Sequence, residues 1–282
     1  MCPEFFHLGP FAVRAYGVSL ALSFFIGLAL IAREARILGL HQDRTVNFGF
    51  ILIIFGVIGA RLGFALYHWS DFADRPLDII NPFNSGMYFG IAGLNLQGGF
   101  VLALIAGWIY LRRRKLPLAA TLDAVVPAVA FGIFLTRIGC YLNGCCFGTP
   151  TDSFLGVQFP ENSPAWYAFG EAHVHPTQLY SSAYGLLLFV LLLWINRRRY
   201  APGFATGIFL MVEAGFRFAI ESMRYYEPAM WVDVVGVHAT FNHLIAVGLF
   251  ALGAVFVLSS RGRTRSAQHA ESLASDSALK SP

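Results

Sequence analysis

Two arginines interrupt stretches of sequence that are otherwise apolar, and they are the first candidates for chemistry. Arg137 lies in LTRIGCYLNG (135–144), and Arg217 lies in MVEAGFRFAIESMR (211–224). If these stretches cross a membrane, each guanidinium costs about 2.5–3.5 kcal/mol at bilayer depth. Such a residue persists when it pairs internally, meets a charged ligand, or extends its side chain to the interface.

The second stretch carries four charged side chains at helical spacing. Glu213, Arg217, Glu221 and Arg224 follow one another at intervals of four, four and three residues, which puts them on one helical face. Such a face does not point at lipid. It either forms ion pairs against a neighbouring helix or lines a polar cavity near the outer leaflet, to which Arg137 would contribute.

Three cysteines lie close together in the chain, at Cys140, Cys145 and Cys146, and Cys2 is near the N-terminus. On the outer side of a membrane these thiols would be free to form disulfides. Their C-x4-C-C spacing is not that of a typical zinc motif, so the spacing predicts no metal site. The sequence also lacks a Walker loop and a dinucleotide-binding fingerprint.

The composition indicates what kind of scaffold positions these residues. Hydrophobic residues make up 56% of the chain and charged residues only 13%, with a mean hydropathy of +0.60. A soluble domain has about 25% charged residues, so this chain has too few to coat a water-exposed surface. The basic residues sit beside apolar runs without interleaved aromatics, a pattern typical of membrane surfaces and not of nucleic-acid binding.

Seven segments are long and apolar enough to cross the hydrocarbon core, which predicts an all-α integral membrane protein. To within a few residues at each end, these segments are about 11–32, 47–69, 88–111, 122–142, 178–196, 205–223 and 237–259. Basic clusters such as 112–115 and 197–199 follow odd-numbered segments. Because cytoplasmic loops collect Lys and Arg, the N-terminus is predicted outside and the C-terminus in the cytoplasm.

The domain organisation follows from these segments. Residues 1–260 are predicted to form one transmembrane domain, and the polar residues 261–282 a disordered cytoplasmic tail. The longest connection, 143–177, is predicted to lie outside. Trp166 and Tyr167 within it are explained either by a functional loop or by an aromatic belt at headgroup level.

Several motifs, in this order along the chain, resemble those of the prolipoprotein diacylglyceryl transferases. The motifs are RAYG (14–17), GARLGF (59–64), TRIGCYLNGCCFG (136–148), HPTQLY (175–180) and FRFAIESMR (216–224). The resemblance extends over about residues 11–260 and implies a seven-span architecture with an outside N-terminus. Taken together, HPTQLY and the Arg137 motif are specific to that family.

The resemblance implies a reaction and its partners. Members of the family move the diacylglyceryl group of phosphatidylglycerol onto the lipobox cysteine in the signal peptide of a prolipoprotein. The expected setting is the bacterial cytoplasmic (inner) membrane, with membrane lipids as neighbours and without a cofactor, a metal or nucleic acid. Arginines would hold the phosphate with a bidentate fork, and small residues such as Gly98, Gly99, Gly139 and Gly144 would give room for the lipid.

The resemblance, together with the charged face that carries Glu213 and Arg217, indicates residues of the site. The expected catalytic residues are Arg137, Arg217, Glu213 and His175. The expected substrate-binding residues are Arg137, Tyr16, Arg61, Gln97, Gly98, Gly99, Asn143, Gly148, Gln178 and Glu221.

The chain departs from the family's pattern where the chemistry is done. Gln97 stands where the family has a His, Cys140 where it has an Asn, and Cys145 where it has a Glu. Phe147 replaces a Trp, and Glu213 replaces a Tyr four residues before the arginine of the sixth span. A thiol with a pKa near 8.5 needs a base or a positive field to become a thiolate, and Gln is no base.

Three sources of thiol activation therefore stay open: Glu213, His175, or the arginines alone. The departures also leave a different class of protein open. A non-transferase homologue, binding lipid or carrying out thiol redox chemistry, would use Cys140, Cys145 and Cys146 as its working groups.

Overall fold

The computed structural model describes residues 4–8, 11–73, 95–161, 163–198, 200–225, 231–234, 237–240 and 242–260. The helices are α1 (Ala15–Ile37), α2 (Gln42–Tyr67), α3 (Trp69–Phe72), α4 (Leu96–Arg114), α5 (Leu118–Asn143), α6 (Pro164–Phe169), α7 (Thr177–Arg197), α8 (Phe204–Glu221) and α9 (Asn242–Ser260). Two antiparallel hairpins pair β1 (Glu4–Leu8) with β2 (Phe11–Arg14) and β3 (Trp231–Val234) with β4 (Val237–Thr240).

Within the described residues, five helices are long and apolar enough to cross a membrane: α1, α2, α5, α7 and α9. Large apolar side chains point away from the protein on these helices, as at Phe25 and Leu187, which are 74% and 72% exposed. Contiguous apolar faces of this kind are unfavourable in water but are solvated by lipid chains. The chain is therefore an α-helical, multi-pass membrane protein.

The third and sixth predicted spans correspond to α4 and α8, of 19 and 18 residues. Each of these two helices carries three charged side chains. Helix α4 ends in three arginines, and α8 carries the charged residues singled out in the sequence. Residues 88–94 of the third predicted span, and the predicted tail 261–282, lie outside the described residues.

Two predicted boundaries differ from the observed starts of the helices by a few residues. The first span was predicted to begin at residue 11, but residues 11–14 form strand β2, and α1 begins at Ala15. The seventh was predicted to begin at residue 237, but residues 237–240 form β4, and α9 begins at Asn242. Apolar composition does not distinguish an extended segment from a helical one over so few residues.

Helix α5 is central, because it packs against both α1 and α7. Small residues permit these contacts: a Cβ placed on Gly139 would lie 2.8 Å from Ser19 Cβ on α1, and one on Gly185 of α7 would lie 2.7 Å from the Phe134 backbone nitrogen. Helices α2 and α4 form a second close pair. In a membrane, burying apolar side chains contributes little free energy to the association of helices. Close packing of their backbones, which small residues permit, contributes more.

A buried polar network joins four helices where α1 ends and α5 begins. The Asp123 carboxylate accepts hydrogen bonds from the Gly203 and Thr206 backbone nitrogens at 2.6 and 2.8 Å, and from Thr206 Oγ1 at 2.6 Å. Asn196 Nδ2 donates to Glu34 Oε2 at 2.9 Å and to the Asp123 carbonyl at 3.0 Å. These bonds fix the starts of α5 and α8 against the ends of α1 and α7.

The connection between α5 and α7 has a small apolar core of its own. Phe147, Phe159, Ala165 and Val174 are buried together. Val157 and Val174 exchange backbone hydrogen bonds at 3.0 and 3.1 Å. This long connection is therefore a structured cover over the end of α5.

Candidate active site

A cavity of about 80 Å³ lies between α5, α7 and α8. Its lining combines apolar, hydroxyl and charged side chains. The lining residues are Ile133, Arg137, Ser181, Tyr184, Glu213, Phe216, Arg217, Ile220 and Arg224. Three guanidiniums against one carboxylate give the cavity a net positive charge, so it suits an anionic group.

Glu213 and Arg217 are paired one helical turn apart on α8. Arg217 Nε donates to Glu213 Oε1 at 3.3 Å, and the Glu213 side chain is only 15% exposed. Within the described residues, the buried Glu213 Oε2 makes no hydrogen bond. The ring of Tyr184 stacks on Phe216 at 3.9 Å, so the aromatic pair forms a wall beside this carboxylate. One carboxylate oxygen thus orients an arginine, and the other is buried in the cavity lining.

The three cysteines meet at the end of α5. Their Sγ atoms all lie within 4.8 Å of one another. The helix is capped by Gly144 in the left-handed conformation, with φ of 72°, and the chain then turns through Cys146, which has φ of 61°. Positive φ is uncommon for a residue with a Cβ, so the surrounding structure must hold this turn in place.

The start of α7 holds this turn. Thr177 Oγ1 donates to the Cys146 carbonyl at 2.8 Å, and Gln178 Nε2 donates to the Cys145 carbonyl at 2.8 Å. Both side chains are fully buried. The HPTQLY motif therefore positions the backbone of the two adjacent cysteines.

The thiols and the arginine-lined cavity are neighbours. The pKa of the Cys146 thiol is lowered, because it is hydrogen-bonded by the Cys140 and Cys145 thiols and because Arg137 and Arg224 lie within electrostatic range. Tyr16 on α1 lies within the same range of Arg137 and of the three thiols. Residues distant in the sequence thus form one region of cations and sulfur atoms.

The structure brings several of the predicted site residues to this region. Arg137, Arg217 and Glu213 line the cavity. Asn143 is the last residue of α5, and its side chain reaches Cys145. Tyr16 and Gln178 lie at the thiols, as described above.

Two further predicted residues pair through their backbones close to the cysteine turn in the chain. The Gly148 backbone nitrogen donates to the His175 carbonyl at 2.9 Å, and a Cβ on Gly148 would lie 2.5 Å from the Met223 oxygen. The His175 ring is half-buried, with Nδ1 lying 3.3 Å from Tyr180 Oη. His175 does not belong to the cavity lining.

Other predicted residues lie elsewhere. The Arg61 guanidinium lies over the rings of Phe64 and Phe72, at 5.9 and 5.4 Å from their centroids. Glu221 was expected on the face of Glu213, but its Oε1 accepts a hydrogen bond from Asn242 of α9 at 2.8 Å. It ties α8 to α9 outside the cavity lining.

The Gln97–Gly99 segment belongs to the packing of α4 on α2. A Cβ on Gly98 would lie 2.5 Å from the Gly59 oxygen, and one on Gly99 would lie 2.6 Å from the Gly56 oxygen. The Gln97 backbone nitrogen donates to the capping side chain of Asn95 at 2.9 Å. The space beside these glycines is filled by the backbone of α2. The expectation that they leave room for lipid is therefore not met.

Sequence reasoning missed Ser181 and Tyr184, and it did not include Arg224 among the site residues. Ser181 and Tyr184 follow the HPTQLY motif on α7, four and seven residues after Thr177, so they continue the face that holds the cysteine turn. That spacing was the available signal. Helical spacing had placed Arg224 on the charged face, and the structure puts it in the cavity lining even though it lies beyond the last helical residue, Glu221.

These features define a class: a multi-pass helical membrane protein with a cationic cavity beside a cluster of thiols. Comparison with known proteins then identifies the family. The profile of the prolipoprotein diacylglyceryl transferase family matches residues 3–259, and the chain belongs to this family.

Individual relatives agree over nearly the whole chain. The phosphatidylglycerol–prolipoprotein diacylglyceryl transferase of Nitratidesulfovibrio vulgaris is 32% identical over 259 residues, covering 90% of this chain and 92% of that protein. The transferase of the same name from Cupriavidus pinatubonensis is 31% identical over 280 residues, covering 94% of each. That from Parasynechococcus marenigrum is 34% identical over 229 residues, covering 79% of this chain and 80% of that protein.

Proposed function

We infer that this protein transfers the diacylglyceryl group of phosphatidylglycerol to the cysteine thiol of a prolipoprotein, a step in lipoprotein maturation. The family match over residues 3–259 and the full-length relatives support this activity. In the reaction, the acceptor sulfur forms a bond to the glyceryl carbon. The bond from that carbon to the phosphate oxygen breaks, and glycerol phosphate leaves.

The observation that carries the proposal is the cation-lined cavity at Arg137, Arg217 and Arg224. Charge develops on the phosphate oxygen as the carbon–oxygen bond breaks, and guanidiniums placed there in advance stabilise it. A guanidinium also offers two parallel donors to a phosphate, which orients it. We assign phosphate binding to Arg137 and Arg217. Arg224 is the third arginine of the cavity lining and adds to its positive charge.

For the acceptor thiol, we assign proton removal to Glu213 in preference to His175. Glu213 lies in the cavity lining, and its buried Oε2 has an unused acceptor position within the described residues. A base must reach the proton directly or through one water. His175 lies behind the cysteine turn with its ring near Tyr180, which supports a structural role.

We also propose a seven-span topology with the N-terminus outside, in the bacterial cytoplasmic membrane. The five apolar helices together with α4 and α8 supply the spans. The basic residues at 112–115 and 197–199 support the cytoplasmic side for the loops after α4 and α7. In this topology the cavity and the thiols face the outer leaflet.

The direct test is complementation. The full chain is expressed in bacteria depleted of their own transferase, and a reporter prolipoprotein is examined for lipid modification by its shift in gel mobility and by mass spectrometry. Modification in cells with the wild-type chain, and its loss with Arg137→Ala at equal expression, is the expected result. Absence of modification with a correctly inserted wild-type chain would refute the activity.

A further inference from the structure

The cysteine cluster, defined as Cys140, Cys145 and Cys146, has the geometry of a metal site that its spacing in the sequence does not indicate. Three Sγ atoms within 4.8 Å of one another offer three ligands on one side of a single point. In a tetrahedral zinc site with zinc–sulfur bonds of about 2.3 Å, neighbouring sulfur atoms are about 3.8 Å apart. The three thiols need to contract only slightly to reach that arrangement.

We propose that the cysteine cluster binds one zinc ion and leaves its fourth coordination position for the thiol of the acceptor cysteine. This inference rests on the proposed transferase activity. A zinc ion at this position would hold and activate the acceptor sulfur in a chain that has Gln97 where the family has a His. Closed structural zinc sites use four protein ligands, whereas catalytic sites use three and keep one position open.

The backbone that carries the ligands is fixed before any metal arrives. Cys140 is buried in the last turns of α5, and Cys145 Sγ lies 3.7 Å from the Cys140 carbonyl, to which it donates. Hydrogen bonds from Thr177 and Gln178 hold the carbonyls of Cys146 and Cys145. Cys146 has the uncommon positive φ, and in this conformation its Sγ lies within 4.8 Å of the other two sulfur atoms.

The charges around the cluster suit this site. Three thiolates and one Zn²⁺ carry a single net negative charge, and the acceptor thiolate adds another. Arg137 and Arg224 lie within electrostatic range of Cys146, so they compensate this charge while Arg137 also lines the phosphate cavity. Cys145 and Cys146 are only half-buried, which leaves the fourth position reachable by a substrate.

The step balances without any redox partner. Coordination to zinc lowers the pKa of the acceptor thiol so that it binds as a thiolate, and its proton passes to the Glu213 carboxylate. The sulfur lone pair then forms the carbon–sulfur bond as the carbon–oxygen bond breaks. The electron pair of the broken bond goes to the phosphate oxygen of glycerol phosphate, which takes up the proton from Glu213.

Metal content is the first test. The full chain is purified in detergent with reductant and without chelator or an affinity tag that binds metal, and zinc is measured by mass spectrometry. We expect about one zinc per chain in the wild type and in the matched control Cys2→Ser, and at least about tenfold less in Cys140→Ser and Cys146→Ser. Wild-type protein that transfers lipid without bound zinc, and in the presence of a strong chelator, would overturn the inference.

A spectroscopic test needs no variant that risks misfolding. Cobalt is exchanged into the wild-type chain, and its thiolate-to-metal charge-transfer absorption is recorded while a lipobox peptide is added. A spectral change with the cysteine peptide, but not with the same peptide carrying serine, supports coordination of the acceptor sulfur. Equal responses to both peptides overturn it.

The outcomes separate the two proposals. A chain that binds zinc and responds to the cysteine peptide, but transfers no lipid when phosphatidylglycerol is present, contradicts the proposed function while the metal site stands. A chain that transfers lipid without zinc contradicts only the metal site. A disulfide within the cluster in zinc-free protein purified without reductant overturns the metal site in favour of thiol redox chemistry.

Discussion

Gln178 Nε2 donates a 2.8 Å hydrogen bond to the backbone carbonyl of Cys145, and this contact joins the start of α7 to the turn after α5. Thr177 makes the equivalent contact with Cys146. Two motifs separated by about thirty residues therefore form one unit, in which the HPTQLY segment sets the position of the cysteine turn. The thiols are consequently placed by buried side chains that do no chemistry themselves.

We predict that Gln178→Leu destabilises the protein and slows transfer. The Leu has a similar volume but no donor, so the Cys145 carbonyl loses its partner, which costs about 1–3 kcal/mol. The turn that carries Cys145 and Cys146 is then free to move, and the rate falls. Thermal unfolding in detergent and a transfer assay with purified protein measure both effects.

Leu179→Ala is the control for Gln178→Leu, because the neighbouring Leu179 is partly exposed on the same helix. It should change the transfer rate far less. Equal effects of both substitutions would mean that α7 stability, and not the hydrogen bond to the turn, governs the rate.

We predict that Gly148→Ala damages the site, whereas Gly132→Ala does not. A Cβ at position 148 would lie 2.5 Å from the Met223 oxygen and 2.7 Å from His175 Cβ, so the backbone must shift. The expected cost is about 1–3 kcal/mol. Gly132 on α5 has nothing within 4 Å of an added Cβ, so alanine there gains helix propensity of up to about 1 kcal/mol.

The readout for this pair is the melting temperature in one detergent, followed by the transfer rate. The two substitutions add the same methyl group to the same chain, so a difference between them reports the local space alone. Comparable melting temperatures would contradict the close approach of residue 148 to the 223 backbone.

The helical part of the fold was predictable because each span is a long apolar run. An apolar run of about 20 residues has few alternatives to a membrane helix. The hairpins were not predictable, because FAV (11–13) and VHA (237–239) are compatible with both strand and helix. Pairing with a second segment decides between them, and single-segment composition does not report pairing.

The site was predictable where a charge stands in an apolar span. Arg137 and Arg217 are conspicuous for that reason. Tyr184 and Ser181 were missed because uncharged polar residues occur in spans without function. The thiol triangle was hidden as well, because it depends on the left-handed cap at Gly144 and the positive φ of Cys146, which C-x4-C-C spacing does not reveal.

We predict that Arg137→Ala reduces transfer by at least about 100-fold while the protein still folds and inserts. Arg137→Lys should recover little, because an ammonium replaces the bidentate fork. Arg198→Ala is the matched control: Arg198 follows α7 and lies over the Trp194 ring, 5.2 Å from its centroid and far from the cavity. Near-normal transfer by Arg137→Ala would show that this arginine serves only as a structural anchor.

We predict that a cysteine introduced at Phe154 is labelled from outside intact cells by a membrane-impermeant maleimide. Phe154 is 93% exposed in the α5–α7 connection. Cysteines introduced at Arg114 or Arg198, after α4 and α7, should be labelled only once the membrane is permeabilised. The chain without an introduced cysteine sets the background. Labelling at position 198 from outside would contradict the proposed topology.

The sharpest prediction concerns Glu213, which pairs with Arg217 at 3.3 Å while its second oxygen has no hydrogen bond within the described residues. Glu213→Gln keeps the size of the side chain but removes its ability to take a proton. We expect the rate to fall by about 100-fold or more, with binding of phosphatidylglycerol retained. Rates and lipid affinity are measured separately with purified protein in mixed micelles.

Three comparison variants complete the experiment on Glu213. Glu221→Gln should leave most activity, since Glu221 contacts Asn242 outside the cavity lining. Gln97→His is expected to be tolerated or to raise the rate, because it restores the imidazole found in the family. If Glu213→Gln and His175→Ala both transfer lipid at the wild-type rate, neither residue is the base. The positive field of the arginines, or a metal at the cysteine cluster, would then account for thiolate formation.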